Sequence, residues 1–99
     1  MLNIEKKQDG SNLDIKVSGK LNTTTSPELE QSINESIDGV TALTFDFAEL
    51  SYISSAGLRV LLSLQKIMNK QGAMKLINVN STINDVFEVT GFSDILNIE

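Results

Sequence analysis

Apolar residues recur at every second position in the first part of the chain. Leu2 and Ile4, then Leu13, Ile15 and Val17, alternate with polar neighbours, the period of a strand that buries one face. Gln8-Asp9-Gly10-Ser11 separates the two runs with turn-forming residues, which predicts a hairpin of strands over 2–7 and 12–18. The period then lengthens. Leu29, Ile33 and Ile37 lie at i, i+4 and i+8, a narrow helical stripe. Ser26-Pro27-Glu28 precedes it with a capping hydroxyl, a proline suited to the first helical position and a carboxylate that complements the dipole. Gly39 is the expected stop.

Val40 to Phe47 predicts a third strand, with Leu43, Phe45 and Phe47 on one face and Val40 and Ala42 on the other. So little polarity suggests a central strand covered on at least one side. Beyond Gly57, the helical wheel puts Leu58, Leu61, Leu62 and Met68 on one broad face, extended by Val60, Leu64 and Ile67. Arg59, Ser63, Lys66 and Lys70 form the polar stripe, and Gln71-Gly72 closes the helix. Ala73 to Val79 predicts another short strand. Asn80-Ser81 then caps a last helix with Ile83, Val86, Phe87 and Thr90 on its apolar side and Gly91 at its C-terminus. Phe92 is expected to pack back, and Ile95–Ile98 can add a terminal strand. The order ββαβαβα implies parallel crossovers after an antiparallel hairpin. The expected architecture is α/β: one domain over 1–99, with a mixed sheet of four or five strands and helices mainly on one face.

Composition narrows the function. The chain has 99 residues, one small domain with a single core. It contains no Cys and no His. That removes disulfides, thiolate chemistry, the commonest general base and the commonest metal ligand. Asp and Glu are scattered, without metal-ligand spacing or a convincing catalytic pair, and no Gly-rich phosphate loop occurs. No catalytic residue, metal site or cofactor is therefore assigned, and a binding module is expected in place of an enzyme. The net charge of -5, with no basic cluster, argues against nucleic acid and anionic lipid as partners. No apolar run approaches the ~20 residues of a membrane span. The opening MLNIEKKQDG lacks a signal-peptide layout, so a cytoplasmic protein is expected.

What remains is the strand-to-helix junction Ser54-Ser55-Ala56-Gly57. Serine here reads as a helix N-cap. It also reads as a phosphorylation site, because a phosphate would meet free N–H groups at the positive end of the dipole. Extending the helical phase back one turn puts Ser55 beside the polar stripe and Ser54 toward the apolar side, so Ser55 is the accessible hydroxyl of the two. Three neighbouring features also admit two readings each. Thr23-Thr24-Thr25 is a run of turn and cap residues or a second phosphorylation target. Asp46 is a hydrogen-bonded strand-end carboxylate or a polar neighbour of Ser55. The broad apolar face after Gly57 is buried, or part of it stays open for a partner.

The run LSYISSAGLRVLL resembles the signature of STAS domains, in particular the anti-sigma factor antagonists. Those proteins carry an apolar strand end, then Asp-Ser-Ser/Thr-Gly-Leu, then an apolar helix. The resemblance puts the regulatory serine at Ser55 and matches Gly57 and Leu58. Ser54 stands in place of the acid, and Ala56 in place of the second hydroxyl. Gly19-Lys20-Leu21-Asn22 resembles the family's Gly-Glu-Leu-Asp, with Asn22 for the Asp. FEVTGFSDIL resembles its Phe-Glu-x-Thr/Ser-Gly-Leu end, so the likeness runs from Gly19 to Ile95. It implies partner switching. The unphosphorylated domain binds an anti-sigma factor that is also a serine kinase and so frees a sigma factor to direct transcription. Phosphorylation of Ser55 releases the complex, and a serine phosphatase resets it. Asn22, Thr23, Ser54, Ala56, Gly57 and Arg59 are the flanking, partner-binding positions this implies. The alternative is a STAS subunit of a lipid-transport or larger signalling complex, with no phosphorylation.

Overall fold

The computed structural model describes residues 2–99. The expected hairpin is present and longer than its apolar pattern. β1 (Leu2–Asp9) and β2 (Asn12–Leu21) pair antiparallel from Leu2↔Gly19 to Asp9↔Asn12. Gly10 takes φ +62° in the turn, a left-handed value that glycine adopts without a Cβ penalty. The N-terminal half of β2 runs parallel to β3 (Ala42–Asp46), which runs parallel to β5 (Ala73–Ile77). The C-terminal end of β2 pairs instead with β4 (Leu50–Ile53) after a register shift at Gly19/Lys20. The result is a five-stranded mixed sheet.

β4 is the fifth strand, and it replaces the terminal strand expected over 95–98. There the chain forms a single 3-10 turn, Phe92–Asp94, and then one bridge between Leu76 and Ile98. Leu76 donates its N–H to the Asn97 carbonyl, and Glu99 donates its own back to Leu76. Phe92 does pack against the core.

Alternation along each strand separates the two faces of the sheet. Leu13, Ile15, Val17, Leu43, Phe45, Met74 and Leu76 are buried. The residues between them, Asp14, Lys16, Thr44, Asp46, Lys75 and Ile77, line an open trough of about 460 Å³ on the other side. The helices α1 (Ser26–Asn34), α2 (Ser55–Gln71) and α3 (Ser81–Thr90) cover the apolar face. Burying a core aliphatic or aromatic side chain contributes about 1.5–3 kcal/mol, so β3, with Leu43, Phe45 and the following Phe47 all fully buried, anchors the centre. Phe45 and Phe47 stack tilted at 37° with ring centroids 5.5 Å apart.

The helices follow their wheels with two corrections. α2 buries Leu58, Val60, Leu61, Leu64 and Met68 as expected, but Leu62 and Ile67 are only partly covered and Gln65 is buried in their stead. α1 stops at Asn34, well before Gly39. Two tight turns follow, Ser36 N–H to Ile33 O and Val40 N–H to Ile37 O. They keep Ile37 and Val40 in the core without a helix or a strand. Val40 therefore lies ahead of β3, and the face opposite Leu43 and Phe45 carries Thr44 and Asp46. α3 matches closely: Ile83 and Phe87 are buried, and Gly91 ends it at φ +81°. Thr90 is exposed and back-bonds to the Val86 carbonyl.

Candidate functional site

β2 and β4 end side by side, and each hands the chain to a helix on the same face of the sheet. Leu21 pairs with Ile53, and the next residue, Ser54, donates its N–H to the Leu21 carbonyl at 2.9 Å. That pairing puts the 22–26 loop beside the start of α2. Asn22 and Ser54, far apart in sequence, are neighbours because of it.

The loop is held by its own side chains. Asn22 Oδ1 accepts the N–H groups of Thr24 and Thr25, both at 3.0 Å, an Asx-type turn. Thr25 Oγ1 accepts from the Asn22 N–H at 2.8 Å and donates to the Lys20 carbonyl at 2.8 Å. Ser26 is buried, and its hydroxyl donates to the Asn22 carbonyl at 2.6 Å. Ser26 is therefore inside the first turn of α1 and is not its cap. The cap position belongs to Thr25, whose side chain makes no capping bond. Pro27 occupies the first turn as expected. Thr23 is exposed at the tip.

At the start of α2 the two serines separate as the helical phase requires. Ser54 is the cap, extended at φ -100°, ψ 176°, yet its side chain makes no capping bond. Its Oγ is buried and has no hydrogen-bond partner. Its carbonyl accepts the Leu58 N–H at 3.0 Å and so opens the helix. Ser55 is the first helical residue and is exposed. Its hydroxyl stands at an N-terminus where no side chain supplies an acceptor to the free N–H groups. Gly57 is a packing requirement. A Cβ there would lie 2.8 Å from Leu21 Cγ and 2.9 Å from Ile53 Cγ1, so only glycine lets α2 start this close to the strand ends.

Thr23, Ala56 and Arg59 meet in a groove of about 230 Å³ between α1 and α2. Ser26, Pro27, Glu30, Val60 and Ser63 complete it. The sequence reading missed Ser26 and Glu30 as groove residues, because Ser26 carries a cap signal and Glu30 looks like any solvated helical carboxylate. Arg59 is exposed one helical turn after Ser55. Asp46 lies on the open face and accepts the Ala48 N–H at 3.0 Å, a hydrogen-bonded strand-end carboxylate. No group of three or more metal-ligating side chains occurs among the described residues, and no helix among them is long and apolar enough to cross a membrane.

A domain with this sheet order, and with a serine-bearing helix start beside the first crossover loop, has the architecture of STAS domains. The STAS domain family model matches residues 3–99, and the chain belongs to that family. An anti-sigma-B factor antagonist of Bacillus subtilis is 26% identical over 98 residues, an alignment covering 98% of this chain and 90% of that protein. An anti-sigma factor antagonist from Mycobacterium paratuberculosis superimposes with a TM-score of 0.89 at 20% identity, covering 99% of this chain and 85% of the other. The Bacillus cell fate determinant SpoIIAA in its phosphorylated form superimposes with a TM-score of 0.77, also at 20% identity, over 98% and 91% of the two chains. These two structural likenesses establish the fold.

Proposed function

We propose that this domain is an anti-sigma factor antagonist that works by partner switching, with Ser55 as its phosphorylated residue. The observation that carries the reading is the contrast within the serine pair: Ser55 is exposed at the first residue of α2, while the Ser54 hydroxyl is buried. A kinase can reach only the first. The names borne by the relatives, and the phosphorylated state of one structural neighbour, support the same reading.

In the unmodified state the partner, an anti-sigma factor that is itself a serine kinase, binds across Ser55 and the α1–α2 groove. Asn22, Thr23, Ser54, Ala56, Gly57 and Arg59 flank the contact. Transfer of the γ-phosphoryl group of ATP to Ser55 Oγ then adds a charge of about -1.5 to -2. Within the domain that charge meets the free N–H groups and positive dipole end of α2. Against an interface built for a neutral hydroxyl it is repulsive and costly to desolvate. A coupling of about 1–3 kcal/mol changes affinity 5- to 150-fold, enough to release the partner. A serine phosphatase resets the cycle. The domain supplies no catalytic group and acts by binding in the cytoplasm.

The test is intact-mass analysis and peptide mapping after incubation with the cognate kinase and ATP, on wild type, Ser54→Ala and Ser55→Ala. Wild type and Ser54→Ala should each gain one phosphate on Ser55, and Ser55→Ala none. Ser55→Ala should stay bound to the kinase in the presence of ATP. Phosphate retained on Ser55→Ala refutes the assignment. No phosphate on any variant, with tight partner binding throughout, identifies a constitutive STAS subunit of a lipid-transport or larger signalling assembly. Asn22 and Ser54, which leave two family carboxylates absent beside Ser55, would then account for the loss of phosphorylation.

A further inference from the structure

The open face of the sheet has a charge pattern that complements itself. The strand register sets its side chains in rows across β1, β2, β3 and β5. One row reads Lys7, Asp14, Thr44, Lys75 and the next Glu5, Lys16, Asp46, Ile77. The rows are two residues apart along the strands, about 7 Å. On β1 and on β2 the sign of the charge inverts from one row to the other.

We propose that this face is an isologous contact between two copies of the chain. A two-fold axis lying in the interface, across the strands and midway between the rows, places each row over the other row of the partner copy. Lys7 then faces Glu5 of the second copy, Asp14 faces Lys16, Thr44 faces Asp46, and the Lys75 stem lies over Ile77. The flanking rows add Asp9 against Asn3 and Asn12 against Ser18. No like charges meet. An axis along the strands fails, because it sets Lys7 of β1 over Lys75 of β5.

Net charge selects this face for self-contact. Its two rows hold three basic residues (Lys7, Lys16, Lys75) and three acidic ones (Glu5, Asp14, Asp46), a sum of zero in a chain of net charge -5. Asp9 at one end and Glu49 beside Lys16 add two negative charges at its margin; most of the excess negative charge lies elsewhere, so other faces of two copies repel on average. The charges are also available. Among the described residues the one ion pair is Lys16–Glu49 at 3.7 Å, with Lys16 40% and Glu49 65% exposed, a weak surface pair that exchanges readily. Facing sheets about 10 Å apart let Lys and Asp tips meet.

The contact is small and polar, so it belongs to the weak class of interfaces and forms at high local concentration. It leaves α2 and Ser55 uncovered on the far side of the sheet, independently of the function proposed above.

Sedimentation equilibrium up to about 1 mM, at about 0.02 M and about 0.5 M salt, tests this. Wild type should rise from monomer toward dimer mass at low salt, with association weakened roughly tenfold or more at high salt. Asp14→Lys alone and Lys16→Asp alone should each be monomeric, since each brings like charges together. An equimolar mixture of these two variants should associate, because their faces complement each other, and the double exchange Asp14→Lys/Lys16→Asp should dimerise like wild type. Circular dichroism confirms that each variant is folded. A wild type that stays monomeric to about 1 mM at low salt overturns the proposal. So do single variants that dimerise as wild type does, or a mixture that stays monomeric.

Discussion

At the start of α3, Asn80 is extended at φ -73°, ψ 167°, and its Oδ1 accepts the Ile83 N–H at 3.0 Å. Its amide also donates to the Leu50 carbonyl at 2.7 Å, tying the helix to β4. At the start of α2, Ser54 has nearly the same backbone geometry, φ -100°, ψ 176°, but its hydroxyl accepts nothing. One N-terminus is closed by a side chain. The other is held by packing, through Gly57 against Leu21 and Ile53, and no side chain caps its first N–H groups beside Ser55. The α2 start therefore draws its stability from the strand ends, whereas that of α3 draws it from Asn80.

Three substitutions sharpen this contrast. Gly57→Ala has the largest expected effect. The added Cβ meets atoms at 2.8–3.0 Å, and overpacking of this kind costs about 1–3 kcal/mol. Urea unfolding should show a lower midpoint at unchanged slope, and an unchanged midpoint would mean that packing does not hold α2. Asn80→Ala comes next. Loss of the cap and of the Leu50 bond should cost about 1–2 kcal/mol, read in the same assay. Ser54→Ala should be the mildest, within about 0.5 kcal/mol of wild type and on the stabilising side, because a buried hydroxyl without a partner is removed. A loss as large as that of Asn80→Ala would show that Ser54 caps α2 in solution and that the two helix starts are alike.

Elements whose signal is local were legible in the sequence. The hairpin alternates cleanly, α2 has a broad apolar face, and α3 carries both its cap and its Gly91. The serine pair was legible too, since one turn of helical phase separates an exposed Ser55 from an inward Ser54. β4 was not. Leu50 and Ile53 are its buried residues and Ser51 and Tyr52 its exposed ones, a spacing of three that no strand period predicts. It is a strand only because the C-terminal end of β2 pairs with it beyond an irregularity at Gly19/Lys20. Ile37 misled in the opposite sense. It continues the stripe of α1 and is buried, but it enters the core from a turn, and apolar spacing alone cannot tell the two apart.

By itself the sequence determined what depends on neighbours a few residues away: which side of each strand is apolar, where α2 and α3 start, and which of two adjacent serines points out. Hydrophobic period and capping act over one or two turns, so they are written in contiguous residues. Only the tertiary structure decided what depends on strand pairing. The Leu21↔Ile53 pair and the Ser54 bond to the Leu21 carbonyl bring the Asn22 loop to Ser55, and the register across β1, β2, β3 and β5 aligns the charges of the open face into rows. Register relates residues tens of positions apart through backbone hydrogen bonds common to every residue type except proline, so no local residue pattern announces it.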